Sequence, residues 1–257
     1  MTLIEESPVP VLATRGLGLR IGGVSILNDV SLEVFDGEFL GIIGPNGAGK
    51  TTLLNLLSGL LAPTAGHVLL AGRDITADPP YRRTQAGLGR TFQLSSVFPL
   101  LPVLENVRLA AEARLGGAMR IWRRASRVSE ALEGARWALG RVGLEGRERS
   151  LAGSLSGGDK RKLELAMLLA GRPRVILLDE PMAGISVEDI PELVEVIRSV
   201  QREEGKTVLM VEHHMEVVVG LAERIAVMHH GALLACDTPE RVMANETVQS
   251  AYLGEPL

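Results

Sequence analysis

Continuous apolar runs alternate with helical patterns along most of the chain. The runs at 38–43 (EFLGII) and 174–180 (RVILLDE) are typical of strands buried on both faces of a parallel sheet. Similar runs occupy 206–212 and 224–228. Strands that alternate with helices predict an α/β fold whose ligands bind at the carboxyl ends of the strands. Segments of helical period follow the first three runs, at 51–61, about 191–201 and 215–222.

Two regions depart from this alternation. The first 38 residues contain short alternating stretches such as NDVSLEVF, which predict an antiparallel sheet. From Val103 to Ala170 the pattern is mostly helical and rich in Arg, Ala and Leu. We therefore predict one domain, with an N-terminal antiparallel β-subdomain and an inserted helical subdomain around an α/β core. Its expected parts are residues 1–92 (β-subdomain and first part of the core), 93–172 (helical subdomain), 173–240 (rest of the core) and 241–257 (C-terminal extension).

Composition narrows the classes of protein that fit. The net charge of −4 argues against a dedicated nucleic-acid binder, which usually carries a basic excess. A single cysteine, Cys236, excludes an internal disulfide framework and fits a reducing compartment. The longest apolar stretch has about half the length that a membrane-spanning helix needs. We therefore expect a soluble, cytoplasmic protein.

A glycine-rich loop follows the first predicted strand and opens the first predicted helix. Residues Gly44 to Thr51 match G-x-x-x-x-G-K-[ST], a pattern that is meaningful in this context. Its backbone N–H groups and the helix N-terminus attract phosphates, Lys50 reaches the β and γ phosphates, and the Thr51 hydroxyl binds Mg²⁺. The motif predicts a nucleoside triphosphate site formed by Gly44, Pro45, Asn46, Gly47, Ala48, Gly49, Lys50, Thr51 and Thr52.

Two further elements suit the same chemistry. At the end of the strand VILLD, Asp179 can hold Mg²⁺, and Glu180 can accept a proton from an attacking water. Ser156, Gly157 and Gly158 precede a helix and form a second anion-binding end. One chain rarely needs two such ends for one nucleotide. A head-to-tail dimer does, because each nucleotide then lies between the loop of one copy and the Ser-Gly-Gly end of the other.

In order and spacing, these motifs resemble those of the ATP-binding subunits of ABC transporters, over essentially the whole chain. The resemblance implies a P-loop NTPase (RecA-like) core, ATP and Mg²⁺ as ligands, and ATP hydrolysis coupled to transport. It also implies three further roles: Gln93, in RTFQ, contacts Mg²⁺ or the attacking water, Asp159 ends the signature LSGGD, and His213 is the switch histidine. The implied catalytic residues are Glu180, His213, Gln93 and Lys50, and the implied Mg²⁺ ligands are Thr51, Gln93 and Asp179.

Shorter segments narrow the resemblance to one group of importers. GRTFQ, VLENV, DEPMAGI, VEHHM and AYLGEP resemble the ATPases of branched-chain amino acid importers, although urea and short-amide importers share much of this pattern. The implied partners are transmembrane permease subunits, a second copy or a paralogous ATPase, and indirectly a substrate-binding protein. The implied location is the inner face of the plasma membrane. A non-transport ABC ATPase is the alternative, but those proteins usually have two cassettes or long coiled coils.

Four positions depart from the pattern of this family. Ile21 stands where an aromatic ring usually stacks on adenine; it covers the base but lacks a stacking contribution of about 1 kcal/mol. Asp159 replaces the usual Gln of the signature and adds negative charge near a triphosphate. Ser186 replaces Asp or Asn in the loop that crosses the dimer interface, and His214 replaces the Asp after the switch histidine. We expect His213 to be the functional member of its pair and His214 its neighbour.

Three remaining segments each leave two interpretations open. His229-His230 predicts a hairpin turn rather than a metal site, because adjacent strand residues point to opposite faces. The arginine-rich stretch 112–127 is a solvated helical face or a contact for anionic lipid headgroups. The apolar stretch 94–107 is a core-packing loop or a groove for a short helix of the permease.

Overall fold

The computed structural model describes residues 9–91, 97–115 and 124–253. The chain folds into two compact units: the first comprises residues 1–86 and 206–257, and the second residues 87–205. None of the helices in the described residues combines the length and apolar character needed to cross a membrane.

An antiparallel sheet of four strands lies in the first unit. Its strands are β1 (Leu12–Ile21), β2 (Val24–Val34), β4 (Ala65–Leu70) and β5 (Arg73–Asp74), in the order β2-β1-β4-β5. Inward positions such as Leu17 and Val30 are fully buried, whereas the tip of the β1–β2 hairpin is exposed. The antiparallel sheet predicted for the front of the chain is therefore confirmed, and β4 and β5 extend it.

A second group of strands in the first unit is mainly parallel. β3 (Phe39–Ile43) lies between β8 (Thr207–Val211) and β9 (Arg224–His229) and runs parallel to both, while β10 (Ala232–Asp237) returns antiparallel to β9. All residues of β3 and β8 are buried, as continuous apolar runs predict. Because the two strands are parallel and Ile42 pairs with Val211, their carboxyl ends meet at one edge.

Helices follow these strands as the α/β pattern predicts. α1 (Lys50–Ser58) follows β3, and α7 (Met215–Leu221) follows β8. The other helices of the first unit are α2 (Pro80–Gln85), α8 (Pro239–Met243) and α9 (Glu246–Leu253).

The second unit is mainly helical. α3 (Val103–Leu115), α4 (Arg124–Arg141) and α5 (Gly157–Ala170) pack against one another, and the fully buried alanines 131, 135 and 138 of α4 permit a close approach. This unit also contains the parallel pair β6 (Leu88–Arg90) and β7 (Val175–Asp179), and α6 (Ile190–Glu204). The mostly helical pattern predicted between Val103 and Ala170 is confirmed for the described residues of that span.

Candidate nucleotide-binding and hydrolysis site

The loop between β3 and α1 has a backbone shape that only glycine supplies at two positions. Gly44 and Gly49 have φ angles of 153° and 98°. A Cβ on Gly44 would collide with the carbonyl oxygen of Met228, and one on Gly49 would lie 2.8 Å from Cδ2 of Leu27. Both positions therefore combine left-handed φ with a close neighbour, so that a side chain is excluded twice.

Lys50 begins α1 and folds back over this loop. Its side chain is buried, and Nζ donates hydrogen bonds to the carbonyl oxygens of Gly44 (2.6 Å) and Pro45 (2.9 Å). Thr51 and Thr52 follow in the first turn and are half-buried. The predicted loop residues thus form one continuous arch that ends in the N-terminal turn of a helix and carries a cation at its centre, an arrangement suited to anions.

Gly231 supports the arch from the β9–β10 hairpin, a contribution that the sequence analysis missed. Its N–H donates to Ala48 O (3.1 Å), and its carbonyl accepts from Asn28 N–H (2.8 Å). A Cβ on Gly231 would collide with Ile26 O. The signal in the sequence was a glycine in a turn, which by itself does not reveal what the turn touches.

The hairpin turn predicted at His229-His230 is confirmed, since His230 and Gly231 have φ angles of 46° and 78° between β9 and β10. The two imidazoles do not point apart as predicted, because their ring centroids are 3.9 Å from each other. His230 leaves the strand in a left-handed conformation, so strand alternation does not apply to it.

The tip of the β1–β2 hairpin places Ile21 at the surface, with 56% of the residue exposed. Ile21 pairs with Val24 across the Gly22-Gly23 turn, and Val24 is exposed as well. From this tip β2 runs to Ile26, whose carbonyl oxygen lies 3.3 Å from a Cβ built on Gly49. The aliphatic tip and the phosphate loop are therefore joined by two residues of strand, about 7 Å.

The two histidines follow β8, and a buried carboxylate organises their backbone. Glu212 is 2% exposed, and its Oε2 accepts from the N–H groups of His213 (2.8 Å) and His214 (3.3 Å). The same oxygen lies 3.0 Å from His214 Nδ1. Both histidine side chains are exposed, and His214 precedes α7 without a side-chain cap bond. Glu212 was not among the predicted site residues, although it stands as an acid at the end of an apolar run.

In the second unit, Asp179 is the last residue of β7 and is buried. Its Oδ2 accepts from Arg90 Nη2 at 2.8 Å, and its N–H donates to Thr91 Oγ1 at 3.5 Å. Burial lowers the pKa of the Arg90 guanidinium, and the hydrogen bond with Asp179 opposes that shift. Arg90 is the residue at this carboxylate that sequence analysis did not identify.

Glu180 has a left-handed backbone (φ 49°), a conformation that costs a non-glycine residue about 1–3 kcal/mol. Its carbonyl accepts from Ala183 N–H at 3.0 Å, closing the turn after β7. Gln93, predicted to contact Mg²⁺ or water, lies outside the described residues.

The predicted signature forms the N-terminal end of α5. Ser156 caps the helix by accepting from Asp159 N–H at 3.1 Å. The Asp159 carboxylate lies 3.7 Å from Nζ of Lys162, a buried lysine that also pairs with Glu192 at 2.6 Å. A Cβ on Gly158 would lie 2.8 Å from the carboxylate of Asp189, whereas Gly157 has only ordinary contacts. Ser186 occupies the N-cap position of the following 3₁₀ turn, but its side chain makes no capping hydrogen bond.

The apolar stretch after Gln93 contains both buried and exposed side chains. Val103 and Val107 are fully buried, whereas Phe98 and Leu100 are exposed, Leu100 by 85%. Backbone bonds from Ala152 N–H to Leu101 O and from Gly153 N–H to Pro99 O bring the exposed Leu151 beside them. In the arginine-rich stretch, Arg114 pairs with Glu130 at 3.1 Å, and the other arginine side chains lie outside the part that the structure describes.

Comparisons with known proteins show what this chain is similar to. A family model described as "ABC transporter" matches residues 27–183, and one described as "Branched-chain amino acid ATP-binding cassette transporter" matches residues 232–256. The chain is 39% identical, over 96% of its length and 98% of the relative, to the high-affinity branched-chain amino acid transport ATP-binding protein LivG of Salmonella typhimurium.

Solved structures of ATP-binding cassettes share the fold. The ADP conformation of MJ1267, an ATP-binding cassette of an ABC transporter, matches with a TM-score of 0.82 at 28% identity and covers 96% of this chain and 99% of that one. A dimeric post-hydrolysis structure of the cassette MJ0796, bound to ADP and phosphate, matches with a TM-score of 0.73 at 28% identity. It covers 88% of this chain and 98% of that one. The predicted P-loop NTPase fold is confirmed.

Proposed function

Because the chain belongs to the ABC transporter family of ATP-binding subunits, we propose that it hydrolyses ATP to drive uptake of branched-chain or related amino acids. The observation that carries this proposal is the full-length similarity to LivG together with the match of the last residues to the branched-chain family model. Uptake of urea or a short amide is the alternative within the same chemistry.

ATP fits the residues of the phosphate loop. The left-handed φ angles of Gly44 and Gly49 let the backbone curl into the arch, and the Lys50 ammonium lies within it. We assign Thr51 and Asp179 as Mg²⁺ ligands with Gln93, since hydroxyl and carboxylate oxygens are the ligands that this ion prefers. Magnesium would neutralise charge on the β and γ phosphates.

Hydrolysis follows from residues at the ends of β7 and β8. Glu180 accepts the proton of the attacking water, and its left-handed backbone sets the direction in which its side chain leaves the strand. His213 donates a hydrogen bond to the γ-phosphate or to that water, and Lys50 stabilises the charge that develops on the phosphate.

The signature of α5 would close the site of a second subunit. Ser156 and the amides of Gly157 and Gly158 bind the γ-phosphate held by the phosphate loop of that subunit. Support comes from the helix end itself and from the dimeric cassette structure named above. The second subunit is a further copy of this chain or a paralogous ATPase.

A permease would bind the exposed apolar patch formed by Phe98, Leu100 and Leu151. Exposed apolar side chains at one surface are suited to receiving a short helix from a partner. This contact would place the protein on the cytoplasmic face of the plasma membrane, and a substrate-binding protein would act from the other side through the permease.

The glutamate assignment is tested with Glu180→Gln in the purified chain. Removing the general base should lower kcat by at least about 100-fold while ATP binding, measured by calorimetry, is retained. Glu188→Gln, which changes an exposed acid in the same unit, is the matched control. ATP turnover as fast as that of the parent would contradict the role of Glu180.

The transported substrate is tested by reconstituting the chain with its permeases and binding protein in vesicles. Leucine should be taken up only when ATP is supplied on the side of the membrane that carries this subunit. Glu180→Gln should abolish uptake. Uptake of urea without leucine would replace the amino acid assignment and leave the ATPase assignment intact.

A further inference from the structure

The Glu212 carboxylate stands out because it is buried and concentrates three donors on one oxygen. Oε2 accepts from the N–H groups of His213 at 2.8 Å and His214 at 3.3 Å, and lies 3.0 Å from His214 Nδ1. Only 2% of Glu212 is exposed, although the two histidines that it holds are exposed. Burying a carboxylate costs free energy unless the group is hydrogen-bonded, so these three contacts offset the cost of burying Glu212.

These contacts hold the turn between β8 and α7, whose backbone sets the direction of the His213 side chain. β8 ends at Val211, and α7 begins at Met215, so three residues cover the whole passage from sheet to helix. Two of their three backbone N–H groups point at Glu212. With both amides held by a single oxygen, the direction of the Cα–Cβ bond of His213 is set by the position of Glu212. Hydrogen bonds to a charged acceptor are about twice as strong as neutral ones, which favours a stiff turn.

We propose that Glu212 is a positioning residue for ATP hydrolysis: its carboxylate fixes the backbone of the turn so that His213 faces the nucleotide, and His214 is its third donor. The proposal rests on the assignment of His213 under the proposed function. It gives His214 a function beyond that of a neighbour, because the imidazole supports the carboxylate that holds His213. Loss of His214 leaves the two backbone donors in place, so its effect is smaller than that of Glu212.

Glu212→Gln tests the proposal with little change of shape. The amide oxygen accepts more weakly than a carboxylate, so kcat should fall about tenfold while the ATP KM and the ATP affinity measured by calorimetry stay within twofold. His214→Ala should lower kcat by no more than about threefold. Glu216→Gln, an exposed acid in the first turn of α7, is the control and should leave kcat unchanged.

A spectroscopic measurement makes the test independent of turnover. With ¹⁵N-labelled histidine, the amide proton of His213 should resonate downfield in the parent, because a carboxylate accepts its hydrogen bond, and should move upfield in Glu212→Gln. An unchanged shift would show that the bond to Glu212 is absent in solution and would overturn the proposal.

The His213→Ala background separates this inference from the proposed function. If Glu212 acts through His213, adding Glu212→Gln to His213→Ala should cause no further loss of the residual kcat. A further tenfold loss would assign Glu212 a general structural role and overturn the positioning proposal. If His213→Ala alone retains full turnover, the assignment of His213 itself fails, whatever Glu212→Gln does.

Discussion

Two helices of this protein begin at glycine-rich anion motifs, and their N-terminal ends are built differently. The first turn of α1 contains no acid, carries Lys50 at its first position and follows glycines that leave the backbone bare. The first turn of α5 contains Asp159, whose N–H is already bound by the Ser156 side chain. One end is positive and open; the other is capped and carries a carboxylate.

This difference predicts which of the two helix ends binds ATP first. A positive, open end can hold a triphosphate alone, whereas an end that is capped and partly neutralised adds affinity only to a nucleotide already held. We therefore expect the phosphate loop to determine ATP affinity in the separate subunit. The signature should act later, on the association of two subunits around bound ATP.

Gly44→Ala should weaken ATP binding more than any other substitution considered. A small effect would contradict the different roles assigned to the two helix ends. The new Cβ meets the backbone carbonyl of Met228 at a left-handed φ, so the arch cannot keep its shape. ATP binding by the separate chain, measured by calorimetry, should weaken by more than about 100-fold. Gly157→Ala, at the signature, meets only ordinary contacts and should leave this binding unchanged. Comparable losses in the two variants would contradict the division of roles.

Ile21→Phe should have an intermediate effect and strengthens the same end. A ring at the exposed hairpin tip adds a stacking contribution of about 1 kcal/mol, which corresponds to roughly fivefold tighter ATP binding. Ile21→Leu keeps the apolar contact without the ring and serves as the control. Equal affinities for all three proteins would show that adenine does not reach the tip.

Asp159→Gln should have the smallest effect and concerns the α5 end. Removing the carboxylate should favour association around ATP by about threefold, because two unit charges about 4 Å apart in water interact by about 1 kcal/mol. We expect less than the roughly fivefold change that 1 kcal/mol would give, because Lys162 lies near Asp159 and already offsets part of its charge. The measurement is the ATP-dependent monomer–dimer equilibrium of the Glu180→Gln protein in an ultracentrifuge, at low and high salt. Weaker association of Asp159→Gln would mean that the carboxylate supports the interface.

Sequence patterns predicted the elements well where the signal was local. The helix expected at 51–61 spans Lys50–Ser58 and stops at Gly59, whose φ of 79° ends it. The helix expected at about 191–201 runs on to Glu204, because its stop signal is Gly205 rather than the end of the apolar period. Boundaries therefore depended on the capping glycines, which period counting does not weigh.

Contacts between residues far apart in the sequence could not be predicted from it. The sequence around Gly231 predicted only a turn, yet its N–H binds Ala48 of the phosphate loop, 183 positions earlier in the chain. Arg90 lay in a recognised motif, but its bond to Asp179 joins two strands that only the fold makes adjacent. Such pairs carry no periodic signal, so a single sequence offers nothing from which to infer them.

The sequence by itself determined the chemistry of this protein: a glycine-rich loop with Lys50, the acids at the end of β7 and a histidine after β8 match the motifs of an ABC-family ATPase, because backbone freedom and the order of elements along the chain are encoded locally. The tertiary structure alone decided what holds these groups in place. Glu212 binds the histidine turn, Lys162 lies 3.7 Å from the acid of the signature, and Gly231 supports the loop. The physical reason is that burial and hydrogen-bond partners are properties of packed neighbours, and packing brings together residues that the chain keeps apart.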